Sequence, residues 1–454
     1  MNLERAIRDV QAFVFRCPIR VPVRTSFGVM HERPAVLIRV EDEDGAVGWG
    51  EAWCNFPSVG AEHRARLVNE LLAPRLLGKT FASPREVFAD LTGATAVLAL
   101  QSGEHGPIAQ AIAGLDIALW DLAAQRARKP LYALLGGAEP RIPVYASGIN
   151  PDRPQATVEH MRAKGHRAFK LKVGFDDVID ERNLRSLREL IGPDLILAAD
   201  ANQAWDIERA TKMVQRFAPF GLRWIEEPLR VDRPRSEWRA LRSATEIPIA
   251  GGENVAGVRH FADALGEDIF SVVQPDAAKW GGITGCLEVA AMIREKGAVY
   301  CPHYLGGGIG LLASAHLLAA AGGEGLLEVD VNENALRDEL CGPLAKIEDG
   351  RATLSAEPGL GVVPNLKLLR RYEVRSQRVA SRSQAGWRRA LSDTVKKTPL
   401  AKIPFERLDP VPHIKAFADF LAPNRYEPAR YYMRGPGPKT AAARAEGDGE
   451  AGVG

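Results

Sequence analysis

Cysteine is scarce in this 454-residue chain. Its five cysteines, Cys17, Cys54, Cys286, Cys301 and Cys341, are scattered and odd in number, and none forms a Cys-x-x-Cys pair. That excludes a disulfide-dense secreted scaffold and points to a reduced, cytoplasmic protein. Long apolar runs are also missing: none reaches the roughly 18 residues of a membrane span. The first residues, MNLERAIRDVQAF, are charged and lack the apolar stretch of a secretion signal. Neither sign of charge is in large excess. The net charge is +2, so no global field argues for a nucleic-acid or membrane partner. What remains is an ordinary globular composition, 46% hydrophobic and 26% charged. At roughly 100–200 residues per domain, the length allows two or three domains.

The charge balance hides an asymmetry. From Arg375 onward there are 15 Lys+Arg against 8 Asp+Glu, whereas the rest has 44 against 49. The segment 375–454 therefore reads as a basic, disordered extension, with a short helix near 413–421. The body begins with alternating β-like runs at 35–40 and 47–51 around an acidic turn at 41–45. Helical patterns follow at 61–77 and 83–91, and then at 108–122, which is apolar nearly all round and so reads as buried. Residues 1–138 thus read as an α+β domain. From 139 to 340 the rhythm changes. Eight short apolar runs (142–146, 168–173, 195–200, 223–227, 247–250, 270–273, 298–301 and 326–329) alternate with amphipathic stretches. Eight evenly spaced β/α units favour a closed parallel barrel over an open sheet. Residues 341–374, with turns at 348–350 and 357–361, read as a short return segment.

The chemistry lies at the ends of these runs. Lys172, Asp200, Glu226, Glu253, Asp276, His303 and Glu328 follow one another at steps of 28, 26, 27, 23, 27 and 25 residues, about one β/α unit each. Singly, each has a plain structural reading, such as a solvated strand edge, a turn or a salt bridge. Their common register at the C-terminal rim of a barrel, where such folds place active sites, decides for function. Residues i and i+2 of a strand share a face, so Lys170 and Lys172 point one way, as do Asp200 and Asn202. Asp200, Glu226 and Glu253 on adjacent strands would repel one another unless a hard cation joined them, and oxygen-only ligands suit Mg²⁺. Such an ion can hold a substrate carboxylate while a base removes the α-proton. Lys172 is one candidate base, its pKa expected to be lowered by Lys170 and the metal. His303 is the other, oriented by Asp276. Asp116 and Asp121 on the buried helix read as structural. The glycine-rich run 306–310 lacks the full G-x-G-x-x-G pattern and reads as a loop touching the substrate or its carboxylate.

These motifs resemble the enolase superfamily, and within it the mandelate racemase group. The residues carrying the resemblance are AGLDIALWDL at 113–122, KPLYALLGG at 129–137, Lys170-Leu-Lys172, Asp200-Ala-Asn202, Trp224-Ile-Glu-Glu-Pro228 and Gly252-Glu-Asn254. It covers about residues 5–374. On the sixth strand, Asp276 stands where the muconate-lactonizing and dipeptide-epimerase group has a second lysine. The resemblance implies a modified (β/α)7β barrel with an N-terminal α+β capping domain, to which 341–374 returns. It implies one Mg²⁺ on Asp200, Glu226 and Glu253, with Lys172 and His303 as acid/base groups, as is general for that superfamily. Glu328 would hydrogen-bond the enolate, Asn202 would bind the substrate, and Lys279 would add electrostatic support. It also implies a homo-oligomer acting on a small carboxylate, with specificity set by cap loops at 21–33 and 53–57. Arg24, Thr25, His31 and Arg33 give the first loop a polarity that suits a polyhydroxylated acid better than an aromatic one, and Trp53 is the substrate-binding candidate of the second. The expected reaction is dehydration of an acid sugar to a 2-keto-3-deoxy acid. The same site without a leaving group would give racemisation or epimerisation. A non-catalytic binding protein on this barrel would have no need of the intact set.

Overall fold

Strands buried over most of their length build the first layer. A computed structural model describes residues 3–24 and 28–380. Its first strands are β1 (Ile7–Arg24), β2 (Val29–Asp42) and β3 (Val47–Ala52). The barrel strands are β4 (Arg141–Ile149), β5 (Ala168–Lys172), β6 (Ile196–Asp200), β7 (Ile225–Glu226), β8 (Ile249–Gly251), β9 (Val272–Val273), β10 (Val299–Tyr300) and β11 (Leu327–Asp330). Two more, β12 (Arg351–Thr353) and β13 (Glu373–Ala380), follow. The cap sheet is antiparallel in the order β13-β1-β2-β3. All the described residues belong to one compact unit.

Three expectations are corrected here. The sequence pattern missed β1 entirely. Most of the expected 21–33 loop is the ends of β1 and β2, which pair Arg24 with Val29 and Cys17 with Arg33. The folded region also runs past Val374, because β13 pairs with β1 through Ala380. Thr25 and the expected helix at 413–421 lie outside the described residues.

Cap and barrel meet through the helix His105–Ala127. It is long and apolar enough to cross a membrane by length and composition, yet it is largely buried inside the fold. Its apolar run packs on β3 and on the barrel, and its two carboxylates tie the layers together. Asp116 accepts from Thr284 N (2.9 Å) and Thr284 Oγ1 (2.7 Å) at the start of the barrel helix Gly282–Glu295. Asp121 accepts from Trp49 N (2.7 Å) on β3 and from Leu360 N (2.8 Å) in the return segment. Both are structural, as expected.

The barrel sheet runs β10-β9-β8-β7-β6-β5-β4-β11 with every pairing parallel, and β12 adds antiparallel to β4. A helix follows each of the first seven strands, which gives the (β/α)7β order. The seam between β10 and β11 is closed differently. Leu326 N donates to Cys301 Sγ (3.3 Å), and a Cβ on Gly325 would stand 1.7 Å from the Tyr300 carbonyl oxygen. Only glycine admits that approach.

One residue in or next to each barrel strand forms an apolar plug: Tyr145, Ala168, Ala198, Trp224, Ala250, Val272, Cys301 and Leu326. Alanines opposite a tyrosine and a tryptophan fill the narrow interior. Two residues further along, the pleat returns each strand to the same face. Those positions hold Ser147, Lys170, Asp200, Glu226, Gly252, Gln274, His303 and Glu328. The polar site is therefore the next layer of the barrel, standing on a dry floor.

Candidate active site

In β5, β6 and β7, register pairs Lys172 with Asp200 and Asp200 with Glu226. Lys170, fully buried, places Nζ 2.7 Å from both Glu226 oxygens and 2.8 Å from Glu328 Oε1. Burial disfavours its charge, but Glu226 and Glu328 outweigh burial and hold it well above the usual lysine range. Lys172 Nζ donates to Asp200 Oδ2 (2.5 Å) and Asn202 Oδ1 (2.7 Å). Its pKa is raised rather than lowered. Burial pushes it down, and so does Lys170, as expected, but Asp200 outweighs them. Asn202 itself sits at a left-handed φ of 43° and is bound to Lys172.

On the facing side, His303 Nδ1 is 2.7 Å from Asp276 Oδ2. Nε2 lies 3.0 Å from Glu253 Oε2 and 3.8 Å from Glu328 Oε2. Burial opposes its charge, yet Glu253, Glu328 and Asp276 raise it to about 9. Glu253, leaving the strand through Gly252, also accepts from Lys279 Nζ at 2.8 Å. Burial would raise Glu253, but His303 and Lys279 hold it well below the carboxylate range. Lys279 stands over the Trp53 ring, 4.9 Å from its centroid, so the cap loop reaches the barrel rim there. Glu328 accepts from Lys170, Ser147 Oγ and Tyr304 N (3.0 Å). Burial alone would raise it, but Lys170 and His303 bring it to about 2.

The three expected cation ligands stand on adjacent strand ends but do not meet at one point. Among the described residues no three His, Cys, Asp or Glu side chains form a ready-made metal group. Each of the three is bonded to a basic side chain of the chain itself. Their chemistry nevertheless fits a hard cation. Six carboxylates (Asp200, Glu226, Glu227, Glu253, Asp276 and Glu328) crowd around Lys170, Lys172, Lys279 and His303. All six are buried or nearly so. Burial and Asp200 hold Glu226 up at about 7 despite its two bonds to Lys170, and burial and Glu253 raise Glu227 strongly. Negative charge is in surplus.

Other expected residues lie elsewhere. Arg33 is buried, but its Nη2 pairs with Asp330 Oδ2 (2.7 Å) instead of lining a loop. His31 is exposed on β2, and among the described residues no side-chain bond ties it to the cluster. Arg24 ends β1. The glycine-rich loop does not stand open to a ligand. Gly307 N (2.6 Å) and Gly310 N (2.9 Å) donate to Glu51 of the cap. Sequence reading missed Glu51, and also Gln274, which donates to Glu226 Oε2 (2.6 Å), and Glu227, which accepts from Asn254 Nδ2 (2.9 Å). Gln274 was reachable by counting two residues back from Asp276. A cavity of about 440 Å³ opens at the opposite end of the barrel beside Arg141, Arg223 and Arg351, away from this cluster.

Residues 7–136 match the model of the mandelate racemase/muconate lactonizing enzyme N-terminal domain, and residues 154–368 that of the enolase C-terminal domain-like family. The chain belongs to this family. A solved mandelate racemase/muconate lactonizing enzyme from Bordetella bronchiseptica RB50 is 57% identical, with a TM-score of 0.78 over 81% of this chain and 99% of its own. The 3,6-anhydro-alpha-L-galactonate cycloisomerase of Streptomyces coelicolor is 31% identical over 81% of this chain and 99% of its own length. The L-talarate/galactarate dehydratase of Salmonella typhimurium LT2, solved with Mg and L-lyxarohydroxamate, is 28% identical. Its TM-score is 0.72 over 83% of this chain and 95% of its own. Family relatives thus include dehydratases, cycloisomerases and epimerases. In this mandelate racemase family member, Lys172 and the Asp276–His303 pair flank the carboxylate cluster from opposite sides.

Proposed function

We propose that this family member is a magnesium-dependent acid-sugar dehydratase. One observation carries the reading: Lys172 Nζ at the end of β5 reaches Asp200 Oδ2 (2.5 Å) and His303 Nε2, just past β10, reaches Glu253 Oε2 (3.0 Å), so a basic group stands at each side of one carboxylate cluster. Asp200, Glu226 and Glu253 would hold the ion. When bound, Mg²⁺ supplies Lewis-acid stabilisation of charge growing on a substrate carboxylate.

The chain's own residues do the rest. Asp200 and Glu226 are what raise the Lys172 pKa; were both to hold a cation, burial and Lys170 would remain, and both lower it. Lys172 then accepts the α-proton at Nζ. Asp276 fixes Nδ1–H of His303, so Nε2 faces the site. His303, whose protonated form Glu328 and Asp276 favour, donates that proton to the β-hydroxyl. The α-C–H and β-C–O bonds break, water leaves, and the enol tautomerises to a 2-keto acid. Asn202 and Lys279 reach the site rim and contact the substrate; Lys170 stabilises the developing charge, and Glu328 holds the Lys170 ammonium in place at 2.8 Å.

The second reading is an isomerase, a racemase or epimerase. It is favoured by the same two-sided placement, since a proton taken by one group can be returned by the other.

Proton NMR in D₂O with Mg²⁺ and a panel of acid sugars tests both. Loss of the α-proton with appearance of a 2-keto acid supports dehydration. Deuterium at the α-carbon with the skeleton retained supports the isomerase. No exchange with any acid sugar or 2-hydroxy acid would refute the α-proton reading for those substrates.

A further inference from the structure

The acid/base pair does not rest on the barrel alone. At the end of β3, Glu51 is 2% exposed and reaches across to the segment after His303. Its two oxygens accept from Gly307 N and Gly310 N, and the Tyr304 side chain stands against the same carboxylate. These amides begin the helix Gly308–Ala321, whose N-terminus favours a negative charge. Gly307 makes the approach possible, since a Cβ there would lie 2.6 Å from Glu51 Oε1. Four residues on, Asn55 Nδ2 donates to the Leu305 carbonyl (2.7 Å). The stretch that leaves His303 is therefore gripped at three backbone atoms by two cap side chains.

The same cap segment grips the other half of the pair. Trp53 N donates to the Ala278 carbonyl (3.1 Å). Ala278 N (2.8 Å) and Lys279 N (3.1 Å) in turn donate to Asp276 Oδ1, while Oδ2 holds His303. One short run of cap backbone and side chains thus touches the turn that fixes Asp276 and the loop that fixes His303. Among the described residues no cap contact of this kind is made to Lys172, which is bonded to Asp200 and Asn202.

We infer that cap residues 51–55 position the Asp276–His303 pair, with Glu51 as the anchor and Asn55 as the second grip. Glu51 and Asn55 are positioning residues, acting through the 303–310 segment. The inference rests on the reading of His303 as an acid/base group, and its consequence is one-sided: loosening the cap should disturb His303 and leave Lys172 in place.

The test uses the full chain carrying Glu51→Gln or Asn55→Ala. The imidazole ¹⁵N resonances are read by long-range ¹H–¹⁵N correlation, with His303→Asn to assign the signal, and Mg²⁺ affinity is read by calorimetry. The expected result is a shifted or broadened His303 signal, an unmoved signal from buried His166, and Mg²⁺ affinity within about twofold of the parent, the cluster being untouched. For any acid sugar that the parent turns over, kcat should fall about tenfold to a hundredfold with KM little changed, as small misplacement of a reacting group does. Unchanged His303 resonances in a folded variant would overturn the inference. So would a His166 signal that moves equally, which would mark general loosening. If Glu51→Gln does not fold, Asn55→Ala gives the same readout. A parent with no turnover would refute the dehydratase reading, and the imidazole signature would still decide the positioning role.

Discussion

At the scale of single residues, Lys172 and His303 are set up by the same means from different neighbours. Asp200 holds the lysine charged, whereas three carboxylates hold the imidazole charged, to about 9, against burial. Both therefore depend on neighbours more than on burial. Lys172→Ala and His303→Asn should each lower turnover by at least about a hundredfold, the usual share of a positioned acid or base. Calorimetry should still show Mg²⁺ binding in both. Full activity in either variant would remove it from the proposed role. Glu253→Ala differs. It removes an oxygen donor, and Mg²⁺ affinity should drop by an order of magnitude or more, as loss of a ligand implies. An unchanged titration would displace Glu253 from the ion.

At the scale of elements, the barrel seam and the apolar plug decide whether the polar layer stands at the right height. At the seam, Gly325 lies against the Tyr300 carbonyl and Leu326 N turns to a cysteine sulfur. Gly325→Ala places a methyl group where backbone already is. The cost should reach or exceed the roughly 1–3 kcal/mol of ordinary overpacking. Urea unfolding would show it as a lower midpoint, and a midpoint equal to the parent would mean the seam can open without loss. Cap elements show how far local pattern can mislead. The expected 21–33 loop is mostly the ends of β1 and β2, because pairing with a neighbouring strand makes extended backbone out of residues whose own pattern does not call for it.

For the whole molecule, two buried groups link cap, barrel and return segment. Arg33 of β2 and Asp330 of β11 form an ion pair with both side chains almost fully buried. Asp330→Asn leaves the guanidinium buried without its counter-charge, and destabilisation of about 3–5 kcal/mol is expected from chemical denaturation. A change under 1 kcal/mol would mean that water reaches Arg33. His316 is fully buried, accepts from Tyr132 N (3.0 Å) at the domain junction, and is pushed by burial down to about 4. Unfolded, it titrates near 6.5. The unfolded chain thus binds the extra proton between those values, and stability should fall as pH drops from about 6.5 to 4. The contribution is on the order of 3 kcal/mol at most. His316→Gln should flatten that part of the pH–stability curve whatever its effect at pH 7, and an unaltered slope would assign the acid sensitivity elsewhere.

Much of this was legible without coordinates, for a physical reason. A β/α unit has a nearly constant length, so Lys172, Asp200, Glu226, Glu253, Asp276, His303 and Glu328 declare their common rim by spacing alone. The pleat then puts Lys170 beside Lys172. The buried helix around Asp116 and Asp121 announces itself by being apolar on every side. What spacing cannot supply is contact between residues far apart in the chain. Nothing local pairs Arg33 with Asp330, or sends Glu51 to the amides of a loop 256 residues later. Nor does local pattern tell that Asp200 would outweigh Lys170 at Lys172, since the balance of two opposed charges depends on distances. The sequence by itself determined which residue types stand at the rim and their order around the barrel. Only the tertiary structure decided which charges face one another and that the cap holds the histidine side of the site, because those depend on where separate strands and loops converge.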